Sequence, residues 1–294
     1  MDVQKHVSQF LRKKLIEGIT KEGTPDLKYY AFDWDDNIMM MPTKIMVLSE
    51  NDEEVGMSTE DFREHRHQVG VEPFNYKGTK IVGYTPVPYI YFTDNPKSNS
   101  RFIVDAMTSP VGPAWNDFVE CINGGSIFSI ITARGHSPET LKTAVANLIK
   151  KNHMGIDSSN LARSLKLYRD IGNEPSVDNK KYKLSNTELN EYLDMCIFEP
   201  VTYGKGSAAN PEEEKKVAMR KFISYCKEMA SIIGKSGAIF KDDVANNEII
   251  PIIGFSDDDP GNVKAISDLV SNEYPDLPIS VYLTKGNEKI KYNK

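Results

Sequence analysis

From Trp115 onward, short apolar runs alternate with helical patterns, and that order limits the fold more than any other feature of the chain. "AWNDFVECINGG" reads as a helix closed by glycine, and "SIFSIIT" as a buried strand. "SPETLKTAVANLIKKN" follows as a helix with Pro138 in its first turn. "SNTELNEYLDM" and "NPEEEKKVAMRKFISYCKEMASII" are two further helices, the second capped by Asn210 with Pro211 next and acids in its first turn. "CIFEPV", "NEIIPIIGF" and "PISVYLT" read as strands, and "NVKAISDLVSNEY" as the helix between the last two. Parallel strands need such crossovers, so the pattern predicts an α/β, Rossmann-like, mainly parallel sheet with helices on both faces.

The first strand of this sheet is expected earlier, in the apolar run that ends at Asp33. Before it, Val7, Phe10, Leu11, Leu15 and Ile19 recur at helical spacing, which predicts an N-terminal helix within residues 1–24. Residues 43–114 break the βα rhythm. They hold a short helix beginning at Ser58, with Asp61 in capping position, and strand-like alternation in "TKIVGYTPVPYIYFTD" broken by prolines. We therefore expect a discontinuous core of residues 25–42 and 115–294 with an inserted cap at 43–114.

The net charge of -6 argues against a broad grip on nucleic acid. No apolar run reaches the roughly 18–20 residues of a membrane helix, and the charged N-terminus has no signal-peptide core, so a cytoplasmic chain without a membrane partner is expected. Cys121, Cys196 and Cys226 share no metal-like spacing and read as reduced core residues.

Three of the predicted strands end in polar residues: Asp33 and Asp35, Thr132, and Asp257 and Asp258. Ligands of open parallel sheets sit beyond the carboxyl ends of the strands, so neighbouring strands would bring these groups to one crevice. Residues two apart on an extended segment point the same way, which lets Asp33 and Asp35 share a site while Trp34 faces the core. Carboxylates with a hydroxyl form a hard-oxygen site suited to Mg2+. A calcium loop is the competing reading of the first cluster. It wants glycine at its sixth position and glutamate at its twelfth, where this chain has Ile38 and Lys44.

"AFDWDDN", "IITARG", the lysine-bearing helix after Pro211 and "GFSDDDPGN" occur in the order of the four motifs of the haloacid dehalogenase-like hydrolases, and the chain resembles that family over about half its length. The resemblance implies a Mg2+-dependent phosphohydrolase that works through an aspartyl-phosphate. In it Asp33 would be the nucleophile and Asp35 the general acid. Thr132, Ala133 and Arg134 would meet the substrate phosphate. Asp33, Asp35 through its backbone carbonyl, Asp257 and Asp258 would hold the metal, with Asp259 as a substitute. One departure is visible: where the family motif ends in glycine and threonine, this chain has Asp36 and Asn37. The Asn37 amide is expected to replace the threonine's hydrogen bond, and Asp36 to be exposed or to brace the turn.

The lysine implied by the third motif is Lys215 or Lys216. Stepping back from the apolar face of Ala218, Met219, Phe222, Ile223 and Cys226 reaches Lys215 first, and Lys205 in a glycine-bearing loop is a third candidate. Arg134 and His136 read either as substrate contacts or as a solvated loop. His65 and His67 read as surface residues, and Trp34, Trp115 and Met39–Met41 as packing. An insertion that closes over the site favours a small phosphorylated substrate such as a nucleotide or sugar phosphate, with Tyr84, Tyr89 and Tyr91 at its mouth. Removal of a 3′ or 5′ phosphate from a nucleic-acid end is the alternative, and Lys77, Lys80 and Lys97 are the nearby basic material for it. A catalytically weak metal- or phosphate-binding module is a third reading. A dinucleotide-dependent dehydrogenase is not supported, because no G-x-G-x-x-G follows any strand.

Overall fold

A computed structural model describes residues 27–169, 182–204, 210–235, 250–286 and 288–292. The main sheet begins with β1 (Leu27–Phe32), and its other parallel members are β6 (Phe128–Thr132), β7 (Ile197–Pro200), β8 (Pro251–Asp257) and β9 (Ile279–Lys285). β10 (Glu288–Lys291) adds an antiparallel edge, and the order is β10-β9-β8-β1-β6-β7. The short β10 was not foreseen; all four of its residues are exposed, so it lacks the apolar signal of a buried strand.

Alternate residues of β1 feed different cores, as a strand covered on both faces requires. Tyr29 and Ala31 pack with α7 (Pro211–Lys235) and α8 (Pro260–Glu273), through Ala218, Met219, Phe222, Val263 and Ile266. Tyr30 and Phe32 point to the other side. There α3 (Trp115–Asn123), α4 (Pro138–Lys150), α5 (Ser158–Arg169) and α6 (Asn186–Met195) supply Phe118, Leu141, Leu161 and Tyr192. The described residues thus form a mixed α/β structure with a mostly parallel sheet. The helix starts follow local chemistry: Ser137 and Ser185 accept from the backbone N–H three residues on, and Asn210 Oδ1 accepts from Glu212 and Glu213. The expected N-terminal helix lies outside the described residues, as does Lys205.

The second sheet is antiparallel, in the order β3-β2-β5-β4, and is made from β2 (Ile45–Ser49), β3 (Glu54–Met57), β4 (Phe74–Tyr76) and β5 (Thr79–Tyr84). With α1 (Thr59–His65) it forms a small core of its own around Val47, Met57, Val69, Tyr76 and Ile81. Ser58 caps α1 by accepting from the Asp61 N–H, as its sequence predicts. α2 (Pro96–Thr108) behaves differently. It packs on α4 and buries Phe102 and Ala106 in the main core, so this part of the 43–114 segment joins the parallel sheet's own layer. The polar outer face of α2 hides this in the sequence.

Candidate active site

Register brings the acids together. Phe32 of β1 pairs with Ser256 of β8, and the Asp33 N–H continues the ladder to the Ser256 carbonyl at 2.9 Å. Asp33 and Asp257 therefore sit side by side at the carboxyl ends of adjacent parallel strands. Carboxylate oxygens of Asp33, Asp257 and Asp258 all lie within 4.8 Å of one another. Thr132 ends β6 on the other side of β1, fully buried, and its hydroxyl accepts from the Arg134 N–H at 3.4 Å.

A buried cation sits inside this cluster, and a second, Arg63, meets it at Asp258. Lys215 lies one turn into α7, on the stripe that continues to Ala218 and Met219, and it is buried. Its Nζ donates to Asp33 Oδ1 at 2.7 Å and to Asp257 Oδ2 at 2.6 Å. Burial by itself lowers an ammonium pKa, but the charges of Asp257 and Asp33 outweigh that and hold Lys215 above its usual value. Lys215 stays charged, and Asp33 and Asp257 both accept from it. Burial, opposed by Lys215 and reinforced by Asp257 and Asp35, pushes Asp33 up to about 8. Lys216 is not part of the site: it turns outward and pairs with Glu213 at 2.7 Å. A helix points adjacent residues about 100° apart, so only one of the two lysines can face the cluster.

Asp35 is turned elsewhere. Arg134 Nε and Nη2 take its two oxygens at 2.8 and 2.6 Å, and Nη2 also donates to Thr43 at 2.9 Å. The guanidinium is 1 % exposed and lies between the rings of Phe92 and Phe102, 4.7 and 4.8 Å from their centroids. The solvated-loop reading of Arg134 and His136 is therefore wrong. His136 is also buried; it stacks on Phe102 and meets the Ser98 hydroxyl at 3.0 Å. Burial first, and the Arg134 charge second, push its pKa down to about 3, so it is neutral. Most of Arg134 is committed to Asp35 and Thr43, and only its Nη1 is a buried donor without a partner. Ala133 contributes its carbonyl to the Thr202 hydroxyl at 2.9 Å.

Asn37 does more than replace one hydrogen bond. Its amide nitrogen donates to the carbonyls of Asp33 and Ser256 and to the Ser256 hydroxyl, at 3.0 to 3.1 Å. Its amide oxygen accepts from Thr284 at 2.8 Å. One buried side chain thus ties the loop after β1 to β8 and β9. Asp36 has φ +53° and accepts from the Thr59 hydroxyl at 2.5 Å, bracing the turn against α1; burial raises its pKa. The loop is closed from behind by Gly112, where a Cβ would come within 2.3 Å of the Asn37 carbonyl.

The expectation that three strand ends converge was legible in the sequence. The Arg134–Asp35 pair was missed, although Arg134 stands two residues past Thr132 and so falls on the same side of an extended segment. Arg63 was missed with no signal to find it. This residue of α1 donates to the carboxylate and to the carbonyl of Asp258 across 195 positions. Trp34, Trp115, Met39 and Met41 are buried as packing residues, while Met40 is exposed. His67 is exposed, but His65 is half-buried against Phe74. Lys77 and Lys80 are engaged by Asp61 and Glu50, both at 2.8 Å. The three cysteines are buried and form no disulfide. No helix among the described residues is long and apolar enough to cross a membrane.

A buried lysine thus lies between two acids at the carboxyl ends of adjacent parallel strands, in a cluster whose three carboxylates could hold a metal ion. Comparison with protein-family models, with curated proteins and with solved structures gives no match to this chain.

Proposed function

We propose that the chain is a phosphomonoesterase dependent on a divalent cation of the Mg2+ type, acting on a small phosphate ester. The observation that carries this reading is the meeting of Asp33, Asp257 and Asp258 oxygens within 4.8 Å of one another, with the buried Lys215 ammonium between the first two. With Asp33 ionised, three carboxylates outnumber the Lys215 ammonium and the Arg63 guanidinium, and oxygen ligands at such spacing fit a hard cation. Asp33, Asp257 and Asp258 would hold it; Asp35 would join only through its backbone, since its carboxylate is engaged by Arg134. When bound, the cation supplies charge neutralisation for the approach of an anionic nucleophile to a phosphate.

In this reading an Asp33 oxygen forms a bond to phosphorus as the bond to the ester oxygen breaks. Asp35, protonated on an oxygen freed from the Arg134 fork, would give that proton to the departing oxygen. Water then attacks the aspartyl-phosphate, its proton passes to Asp35, and phosphate leaves with Asp33 restored. Thr132 and Lys215 would hold phosphoryl oxygens. The engagement of Lys77 and Lys80 by acids favours a small ester over a nucleic-acid end. The grip of Arg134 on both oxygens of Asp35 favours a second reading, a cation- and phosphate-binding module without turnover.

The deciding experiment is a phosphate-release screen over nucleotides, sugar phosphates and 3′- or 5′-phosphorylated oligonucleotides, with and without Mg2+. Release that requires Mg2+ and vanishes in Asp33→Asn supports the enzyme. A folded, Mg2+-binding protein that releases no phosphate leaves the binding module.

A further inference from the structure

Helix α1 belongs to the inserted unit, yet Thr59, Arg63 and Arg66 on its site-facing side each reach a residue of a loop that carries the acids. Thr59 at its start donates to Asp36 at 2.5 Å. Arg63, one turn on, pairs with Asp258 through Nη1, which also reaches the Asp258 carbonyl at 3.3 Å. Arg66 follows three residues later on the same face, 3.3 Å from Asp259 and 3.3 Å from Glu212. Of these partners only Asp258 is one of the three acids whose oxygens converge. Arg63 thus places a guanidinium at the cluster itself, with its side chain 24 % exposed and that of Asp258 13 % exposed.

From this placement, and resting on the reading of the cluster as a cation and phosphate site, we infer that Arg63 is the insertion's substrate-positioning residue. It occupies Asp258 until a divalent cation takes that carboxylate, and then holds an oxygen of the phosphate ester. The physical reason is competition for one charge. A carboxylate bound to a divalent ion has little field left for a guanidinium beside it. Arg63, attached to a helix still tied down by Thr59 and Arg66, is then an unpaired planar cation a few ångströms from the reacting group. Guanidinium and phosphate oxygens match in geometry and charge, and the released side chain needs no movement of the helix to find them. The sequential order follows: cation first, phosphate second.

The test compares wild type with Arg63→Met and Arg63→Lys, and uses Arg66→Met as the control one turn away. Mn2+ binding to substrate-free protein is followed by electron paramagnetic resonance. Inorganic phosphate binding is followed by calorimetry with Mn2+ present. Removing the competitor should tighten Mn2+ binding in Arg63→Met by about fivefold, a modest factor because the pair is partly exposed. The same variant should bind phosphate about tenfold more weakly, and Arg63→Lys should recover part of that loss. Arg66→Met should change Mn2+ binding by less than about twofold. Unchanged Mn2+ affinity in Arg63→Met, or unchanged phosphate affinity, overturns the inference. Wild type that binds Mn2+ and phosphate as described but hydrolyses no ester removes the enzymatic reading alone. Wild type that binds neither ligand removes both.

Discussion

Lys215 Nζ reaches Asp33 Oδ1 at 2.7 Å across 182 positions of sequence, and the same nitrogen holds Asp257 at 2.6 Å. Lys215→Met would leave two buried carboxylates without a countercharge. Breaking a buried pair by removing one partner typically costs about 3–5 kcal/mol. The expected result is a clear fall in melting temperature that Mg2+ partly restores, and a larger Mg2+-induced rise than in wild type. Thermal denaturation with and without Mg2+ measures both. Equal Mg2+ shifts in the two proteins would mean the carboxylates do not face the cation.

The pH dependence of stability follows from Asp33, whose pKa is pushed up to about 8 by burial against the opposing pull of Lys215. An unfolded aspartic acid loses its proton near pH 4, while the folded one keeps it until near pH 8. The folded state thus binds more protons in that window, and stability falls as pH rises through it. The limiting slope is about 1.4 kcal/mol per pH unit for one group. Cation-free protein should be more stable at pH 6 than at pH 8. Asp33→Asn, which cannot ionise, should flatten the difference while keeping the fold, and saturating Mg2+ should flatten it in wild type. Denaturant titrations at the two pH values test this; a slope that persists in Asp33→Asn would place its origin elsewhere.

Arg134 fixes Asp35 by two hydrogen bonds while two phenyl rings fix Arg134. Arg134→Lys keeps the charge but loses the fork and the planar stack. A tetrahedral ammonium can satisfy one Asp35 oxygen, so the carboxylate regains freedom about its terminal torsion. If Asp35 is the proton donor, kcat for an ester with a poor leaving group should drop by about tenfold or more, with a smaller effect on an ester whose leaving group needs no proton. Equal losses on both substrates would assign Arg134 to phosphate binding through its unpartnered Nη1 and not to holding the acid.

How much of this was readable in advance depends on the distance along the chain over which each feature is encoded. The strands leading to Asp33, Thr132 and Asp257 are mostly apolar and end in a polar residue, so both their burial and their outward ends are local properties. Helical periodicity relative to Ala218 and Met219 favours Lys215 without excluding Lys216, and the choice is made by the fold, which buries Lys215 and turns Lys216 to Glu213. The place of α2 could not be read, since seven of its thirteen residues are polar or charged and its buried side rests on Ser98, Phe102 and Ala106 where the helix packs on α4. Arg63 illustrates the limit: nothing near it in sequence distinguishes it from Arg66, and only the folded path of the insertion brings it to Asp258.

Asn37 offers the last test, because the sequence departs there from the glycine–threonine ending of the motif it resembles. Its amide makes three donations within 3.1 Å and accepts one bond from Thr284, all between buried groups. Asn37→Ala removes all four and leaves the Thr284 hydroxyl without its acceptor, at a cost of about 2–4 kcal/mol when buried partners are stranded. Asn37→Thr keeps a hydroxyl that can serve one carbonyl or accept from Thr284, but its shorter reach cannot bridge Asp33, β8 and β9 together. The expected order of stability is wild type, then Thr, then Ala, read from urea midpoints at one pH. Because the Asp33 carbonyl is one of the three acceptors, turnover should fall in the same order. A threonine variant as stable and active as wild type would mean that a single bond suffices and that the bridge across three strands is incidental.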